Sequence, residues 1–263
     1  FRRVLFRSLT ISYKLMRSLT LLIVLFLSLT ITAQEAGFEK GIVAFEAGNK
    51  AYLEEDYDVA IKAYQEVLAE GLHSKEVYLN LGNAYYKNGQ TASSILYYEK
   101  GLLHFKKDVD LLTNLQFAEN QRIDRIEPLP DSIIKRVYKF LLNLMNSESW
   151  AVTSLIFALL FAVAKTIKPR LRKIATPSLI VALIAFLTLL FIRKIGRSEN
   201  YAIVFEPAVT VLSDPKIDAP VAFELHEGTK VKPVESFEEF QKIEIANGQS
   251  GWIITSSIRF IKE

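Results

Sequence analysis

Histidines and carboxylates are the side chains of this sequence that could support acid–base, nucleophilic or metal chemistry. The three histidines, His73, His104 and His226, stand apart from one another, and none has a partner at the spacing of a catalytic triad or a metal site. Residues 54–56 are all acidic, but they lie in a polar stretch typical of a solvated turn between helices. The sequence therefore predicts no catalytic residue and no metal ligand.

The composition excludes further classes of site. The chain of 263 residues contains no cysteine, which excludes disulfides, thiolate catalysis and cysteine-based metal centres. No glycine-rich phosphate loop follows a strand-like run. The net charge is only +3, and the excess cations lie at the N-terminus and in one short turn rather than on a nucleic-acid-binding face. We therefore expect a protein that is not an enzyme and has no cofactor, small-molecule substrate or nucleic-acid partner.

Glycine and asparagine recur with a fixed period in the N-terminal part of the chain. Gly48-Asn49 returns as Gly82-Asn83, 34 positions later, and Asn80-Leu81 returns as Asn114-Leu115. A period of this length, with small residues at fixed offsets, predicts pairs of helices that stack into a solenoid. Small residues are expected where two helices cross closely, and aromatic residues between the units. The other matched pairs are Ala51 with Tyr85, Ala60 with Ser94, and Tyr64 with Tyr98.

The stretch Tyr78-Leu-Asn-Leu-Gly-Asn-Ala-Tyr85 resembles the first helix of a tetratricopeptide repeat. The resemblance covers about Phe38 to Gln121, as two full repeats and a half, and places the repeat domain at residues 36–123. The helix Val109–Ile123 is expected to cap the array, because solenoids need about three units to bury enough surface.

This resemblance implies a concave groove that binds an extended peptide. In the family, the first helix of each repeat lines the groove, and its asparagines hydrogen-bond the peptide backbone. By resemblance, the groove positions here are Asn49, Asn80, Asn83 and Asn114. The alternative is that these asparagines only cap or bridge neighbouring helices.

Two uncharged apolar runs, Trp150–Ala164 and Ala175–Ile192, flank a short basic turn. With flanking residues they predict membrane-spanning helices at 148–167 and 175–193, joined by a turn at 168–174. Short loops rich in Lys and Arg stay in the cytoplasm, so the domains on both sides are predicted to be periplasmic. A buried helical hairpin in a soluble protein is the alternative. The cations that set the orientation are Lys165, Lys168, Arg170, Arg172 and Lys173.

The first 33 residues are interpreted as segments outside the folded domains. Residues 1–15 begin with Phe1 and are interpreted as a non-native extension. Met16-Arg17 and the apolar run Leu21–Thr32 predict a signal peptide over residues 16–33. An uncleaved membrane anchor is the alternative. Both interpretations predict that the segment that follows is exported.

Residues 124–147 connect the repeats to the membrane. Pro128 and Pro130 predict a linker at 124–130. Residues 131–147 then place apolar side chains on one helical face and cations elsewhere, which predicts an amphipathic helix. Two positions for this helix remain open: it lies flat on the outer leaflet of the inner membrane, or it packs under the repeats as an ordinary core helix.

Short β-branched and aromatic runs, separated by turn residues such as Asn247-Gly248, predict a small barrel at residues 199–263. The run Gly248-Gln-Ser-Gly251-Trp252-Ile253, together with the turn at Glu227-Gly228, resembles a bacterial SH3-like domain. Trp252 is either a core residue of the barrel or a platform for a ligand.

The order of these parts resembles the BatE-like family of the Bacteroides aerotolerance (Bat) operon. The fold class would be a multidomain membrane protein with an all-α tetratricopeptide-repeat solenoid, a two-helix transmembrane hairpin and a small all-β SH3-like barrel. The resemblance implies an inner-membrane scaffold, with both soluble domains periplasmic, that acts in aerotolerance or stress response. Its expected partners are Bat proteins with von Willebrand A-type domains, and the cell wall is a second candidate. The alternative function is an accessory or enzyme of cell-wall metabolism with an unrecognised site.

Overall fold

The computed structural model describes residues 37–166, 172–198 and 200–262. The chain forms two compact units that divide between Gln121 and Arg122. The predicted extension at 1–15 and the predicted signal peptide at 16–33 lie outside the described residues, as do Lys168 and Arg170. The first unit is helical in its described part, whereas the second combines helices with an antiparallel sheet.

Five helices make up the described part of the first unit. They are residues 37–53 (α1), Tyr57–Ala69 (α2), Lys75–Lys87 (α3), Thr91–His104 (α4) and Val109–Glu119 (α5). The side chains of Asp56, Ser74 and Asp108 each accept a hydrogen bond from the backbone amide three residues later, which satisfies a free donor at the start of a helix. Short connections between these helices make successive helices antiparallel neighbours.

A tyrosine on the second helix of each pair packs against a glycine on the first. A Cβ placed on Gly48 would lie 2.7 Å from Cε1 of Tyr64, and one placed on Gly82 would lie 2.3 Å from Cε1 of Tyr98. Both tyrosines are 1% exposed. Only glycine leaves room for the ring, so the close approach of the paired helices depends on it. The other predicted packing residues are also buried: Ala60, Leu81, Tyr85 and Ser94.

The second unit contains three helices in its described part. They are Ile133–Leu144 (α6), Ser147–Thr166 (α7) and Arg172–Ser198 (α8). Two segments are long and apolar enough to cross a membrane: Ser147–Thr166, with a mean hydropathy of 1.6, and Ala175–Gly196, with a mean hydropathy of 2.4. They overlap the spans predicted at 148–167 and 175–193.

Helices α7 and α8 pack on each other and leave most of their larger side chains exposed. Ser154 Oγ of α7 donates a hydrogen bond to the carbonyl oxygen of Ala182 on α8 (3.1 Å). Ala182 and Ala185 are buried, because small residues allow two apolar helices to approach closely. Leu159 and Leu183 are 57% and 55% exposed. A helix in the core of a soluble protein would bury such side chains.

Seven strands follow α8 and form one antiparallel sheet in the order β3-β2-β6-β5-β4-β1-β7. Their bounds are Ala202–Val204 (β1), Ala208–Leu212 (β2), Val221–His226 (β3), Lys230–Phe237 (β4), Phe240–Glu244 (β5), Ser250–Ile254 (β6) and Ile258–Phe260 (β7). The strands are rich in β-branched residues, and Val211, Val231 and Ile243 form part of a fully buried cluster between them. The C-terminal β structure expected from the sequence is therefore present.

The segment predicted as a linker, residues 124–130, lies against this sheet. Ile126 packs on the buried cluster of the strands. The backbone amide of Leu129 donates a hydrogen bond to the carbonyl oxygen of Ala246 (2.9 Å), and its side chain lies against Gly248. The second unit thus contains chain from both sides of helices α6–α8.

The substitution Gly82→Ala is expected to destabilise the first unit by about 1–3 kcal/mol, because the added methyl overlaps the Tyr98 ring and the helices must separate. Amide hydrogen exchange over α3 and α4, in the detergent-solubilised full chain, measures the lost protection. The matched control is Glu76→Ala, at an exposed position of the same helix, which should leave exchange unchanged. Equal protection in the Gly82→Ala variant and the parent would show that the close contact is not required.

Candidate peptide-binding groove

The four asparagines predicted to line a groove form two pairs with different surroundings. In the first pair, Asn49 Oδ1 accepts hydrogen bonds from the Tyr64 hydroxyl (2.8 Å) and from Asn80 Nδ2 (3.0 Å). These bonds connect α1 to α2 and to α3. Asn49 and Asn80 therefore bridge neighbouring helices, which is the alternative to a role in peptide binding.

Asn83 and Asn114, unlike the first pair, do not bond to each other. Asn83 Oδ1 accepts from the Tyr98 hydroxyl (2.7 Å), and Asn114 Nδ2 donates to the carbonyl oxygen of Asp110 (2.8 Å). Within the described ranges, Asn83 Nδ2 and Asn114 Oδ1 make no hydrogen bond. The pair thus offers one amide donor and one carbonyl acceptor, which are the two groups that a peptide backbone needs.

Asn83 and Asn114 line the same open pocket, whose volume is about 190 Å³. Its walls are mostly aromatic, and Phe117 is 58% exposed. One cation, Lys87, lies at the wall, and no ion-pair partner for it is found among the described residues. The pocket can therefore hold an apolar side chain, a backbone amide and an anionic oxygen together. The remaining lining residues are Tyr52, Tyr86 and Tyr98.

Two buried tyrosines donate hydrogen bonds to the side-chain oxygens of asparagines, which fixes the orientation of each amide group. Burial raises the pKa of the Tyr64 phenol to about 12. Burial also raises the pKa of the Tyr98 phenol. Both phenols therefore stay protonated at neutral pH, and each donates to an asparagine oxygen. At Asn83 this leaves the NH₂ group for a ligand.

Two of the histidines have partners that sequence spacing did not reveal. His226 Nδ1 lies 2.9 Å from Asp124 Oδ1, across 102 positions of sequence. The other Asp124 oxygen accepts from the His226 backbone amide (2.7 Å) and from the Thr229 hydroxyl (2.6 Å). Because the Thr229 hydroxyl donates to the carboxylate and not to the imidazole, this arrangement lacks an activated nucleophile.

His73 belongs to a stacked aromatic cluster in the first unit. Its Nδ1 lies 2.8 Å from the hydroxyl of Tyr78, and its ring stacks on His104 with centroids 5.1 Å apart. Over the described ranges, no group of three or more His, Cys, Asp and Glu side chains could hold a metal ion. The cluster therefore packs aromatic rings between the start of α3 and the end of α4.

The residues predicted to define the barrel have structural roles. Gly228 has φ +81° in the turn between β3 and β4, a conformation that favours glycine. A Cβ on Gly251 would lie 2.6 Å from Cγ1 of Val211. Trp252 is 8% exposed, and Lys242 Nζ lies 5.6 Å from its ring centroid. Its burial fits the core role better than a ligand platform.

The described cations of the predicted basic turn lie at the ends of the two apolar helices. Lys165 is in the last turn of α7, and Lys173 is exposed near the start of α8. Arg172 is the first residue of α8. Positive charge is therefore concentrated where the two helices connect.

No protein-family model matches the chain, and no curated protein matches it significantly. Among solved structures 11 chains match, one of which is an NlpC/P60 family protein from Bacillus cereus ATCC 10987. That match has 16% identity and a TM-score of 0.21, and it covers 26% of this chain and 22% of that chain. The match thus spans less than a quarter of the Bacillus protein, and a likeness this low assigns neither a fold nor a function.

The substitution Asp124→Ala is expected to release residues 122–130 from the sheet, because it removes the acceptor of three hydrogen bonds and leaves the buried Thr229 hydroxyl unpaired. A loss of about 1–3 kcal/mol in local stability is expected. Hydrogen exchange over this segment and the β3–β4 turn measures it. Glu127→Ala, an exposed change in the same segment, is the control. Unchanged exchange in the Asp124→Ala variant would contradict the contact.

The hydrogen bonds of Asp124 with His226 and Thr229 are expected to weaken in acid. Burial raises the pKa of the Asp124 carboxyl, but hydrogen bonds from Thr229 and His226 outweigh it, so that pKa lies below its ordinary value. The stabilisation is therefore complete above the unfolded-chain pKa of about 3.9 and is lost as pH falls through the lower folded value. Exchange of the segment over a pH series, corrected for intrinsic rates, should show this loss in the parent and not in the Asp124→Ala variant.

Proposed function

We propose that the protein is a non-enzymatic adaptor of the bacterial inner membrane whose helical unit is a tetratricopeptide-repeat array that binds an extended segment of a partner protein. The observation that carries the proposal is the pocket in which Asn83 and Asn114 present an open donor and an open acceptor beside Lys87 and aromatic walls. The repeated contact of tyrosine with glycine and asparagine, first at Gly48 and again at Gly82, supports the repeat architecture.

The chemistry of the pocket specifies the ligand. Open amide donors and acceptors match the alternating N–H and C=O groups of an extended backbone. The exposed Phe117 and the neighbouring tyrosines suit an apolar side chain, and Lys87 suits a carboxylate. The partner segment is therefore an extended peptide with apolar and acidic groups. By the family resemblance, its source is a Bat protein with a von Willebrand A-type domain.

The chain path supports a two-pass arrangement in the membrane. Asp124 and Ile126 precede the two apolar helices, the strands follow them, and both parts of the chain contact each other in the second unit. Chain on both sides of α7 and α8 must then lie on one side of the membrane, which requires an even number of crossings. The basic connection between the helices favours the cytoplasm. Both units would be periplasmic, and the sheet would be an SH3-like barrel that binds a second partner or the cell wall.

The alternative function in cell-wall metabolism requires a different site. A hydrolytic centre would bring a histidine together with two carboxylates in a deep pocket. In the part of the chain that the structure describes, His226 contacts one carboxylate, that of Asp124, which also accepts a hydrogen bond from Thr229. The open groove of the first unit favours binding over catalysis.

Groove variants test the binding proposal. Asn114→Ala and Phe117→Ala remove an open acceptor and an apolar wall, and each is expected to weaken partner capture about fivefold, since one such interaction contributes about 1 kcal/mol. Asn83→Asp keeps the acceptor for the Tyr98 hydroxyl, loses the donor, and should weaken capture without unfolding the helices. Capture is measured by crosslinking in native membranes, followed by quantification of the same attached protein for every variant.

Matched controls separate binding from folding. Asn120→Ala and Leu112→Ala lie on or next to α5 but do not line the pocket, so capture should match the parent. All variants should remain in the membrane fraction at equal level. Equal capture by the groove variants and their controls would rule out this groove as the binding site.

Cysteine labelling tests the two-pass arrangement, since the chain has no native cysteine. We expect a membrane-impermeant maleimide to label Lys62→Cys in the first unit and Lys216→Cys in the second unit in intact spheroplasts. Lys173→Cys, beside the connection between α7 and α8, should react only after permeabilisation. Labelling of Lys173→Cys alone in intact spheroplasts would mean that the orientation is inverted.

A further inference from the structure

Helix α6 exposes one apolar face although it belongs to a compact unit. The large side chains on this face are 44–77% exposed. They recur at helical spacing and therefore form a continuous surface. They are Ile133, Ile134, Val137, Phe140 and Leu144.

The opposite face of α6 is cationic. Lys135 and Lys139 lie there, and both form ion pairs with Asp131 just before the helix, with Lys135 Nζ 3.5 Å from the carboxylate. Arg136 lies at the border between this face and the apolar face, one turn before Phe140, and in the described chain it has no such partner. The charged face thus keeps a net positive charge next to a wide apolar face, which is the pattern of helices that lie in a lipid–water interface.

Contacts fix α6 to the ends of both apolar helices. At the start of α7, Trp150 Nε1 donates a hydrogen bond to the carbonyl oxygen of Leu141 (3.3 Å). At the end of α8, a Cβ placed on Gly196 would lie 3.3 Å from the hydroxyl oxygen of Tyr138, which is 9% exposed. The start of one span and the end of the other lie at the same membrane boundary in a hairpin. Helix α6 is therefore held at that boundary.

We propose that α6 lies flat in the outer lipid–water interface of the inner membrane, with its apolar face among the acyl chains and its cations near anionic headgroups. The large side chains of α7 and α8 are mostly exposed as well, as expected for helices that face lipid. The cations of α6 complement anionic phospholipids. Trp150 sets the depth, because its ring favours the headgroup region. This membrane contact does not depend on the peptide groove.

Spin labels on single cysteines test the proposal in the full chain, reconstituted in vesicles of phosphatidylethanolamine and phosphatidylglycerol. At Phe140→Cys, the nitroxide should collide more often with lipid-soluble oxygen than with a water-soluble nickel chelate. At Lys139→Cys, on the charged face of the same helix, the preference should be reversed. Val137→Cys repeats the measurement on the apolar face in case the Phe140 variant fails to fold.

Two results would overturn the proposal. High nickel accessibility at both Phe140→Cys and Val137→Cys would place the apolar face in water. Low accessibility of these positions to both oxygen and nickel would mean that protein, either a partner or another part of the chain, covers it. Loss of partner capture in the groove variants leaves these collision rates unchanged, so failure of one proposal is distinguishable from failure of the other.

Discussion

The contact of a buried tyrosine ring with a helical glycine sets the distance between paired helices in the first unit. Gly82 lets Tyr98 lie so close that any side chain would overlap the ring. The same ring carries its hydroxyl to Asn83 and forms part of the pocket wall. Packing and the candidate site therefore share one residue, and a change in helix spacing would also change the geometry of the site.

The contact of glycine with tyrosine has a periodic sequence pattern because its physical cause is local. Gly48 and Gly82, and likewise Tyr64 and Tyr98, differ by one period, and close helix crossing requires the same residue types each time. The environments of the asparagines could not be read in this way. Asn49 and Asn80 have the same spacing as Asn83 and Asn114, but only the first pair is joined by a hydrogen bond.

The contact between Asp124 and His226 had no sequence pattern to reveal it, because 102 positions separate the two residues. The neighbouring prolines indicated a linker, since Pro128 and Pro130 lack a backbone N–H. Between them, however, Leu129 keeps its amide, and that amide bonds to Ala246. A segment with few backbone N–H donors can thus still hydrogen-bond to a sheet, provided that an apolar residue such as Ile126 packs on the core beside it. In the proposed membrane protein, this pairing requires the chain before α7 and the chain after α8 to lie on the same side of the membrane.

The two asparagine pairs form an internal comparison within one chain. In the first, Asn49 and Asn80 bond to each other and bridge α1 to α3. In the second, a donor on Asn83 and an acceptor on Asn114 stay open beside the cation of Lys87 and the exposed ring of Phe117. Departures from local optimisation concentrate at functional sites. In the proposed groove, a ligand would complete the hydrogen bonds of Asn83 and Asn114.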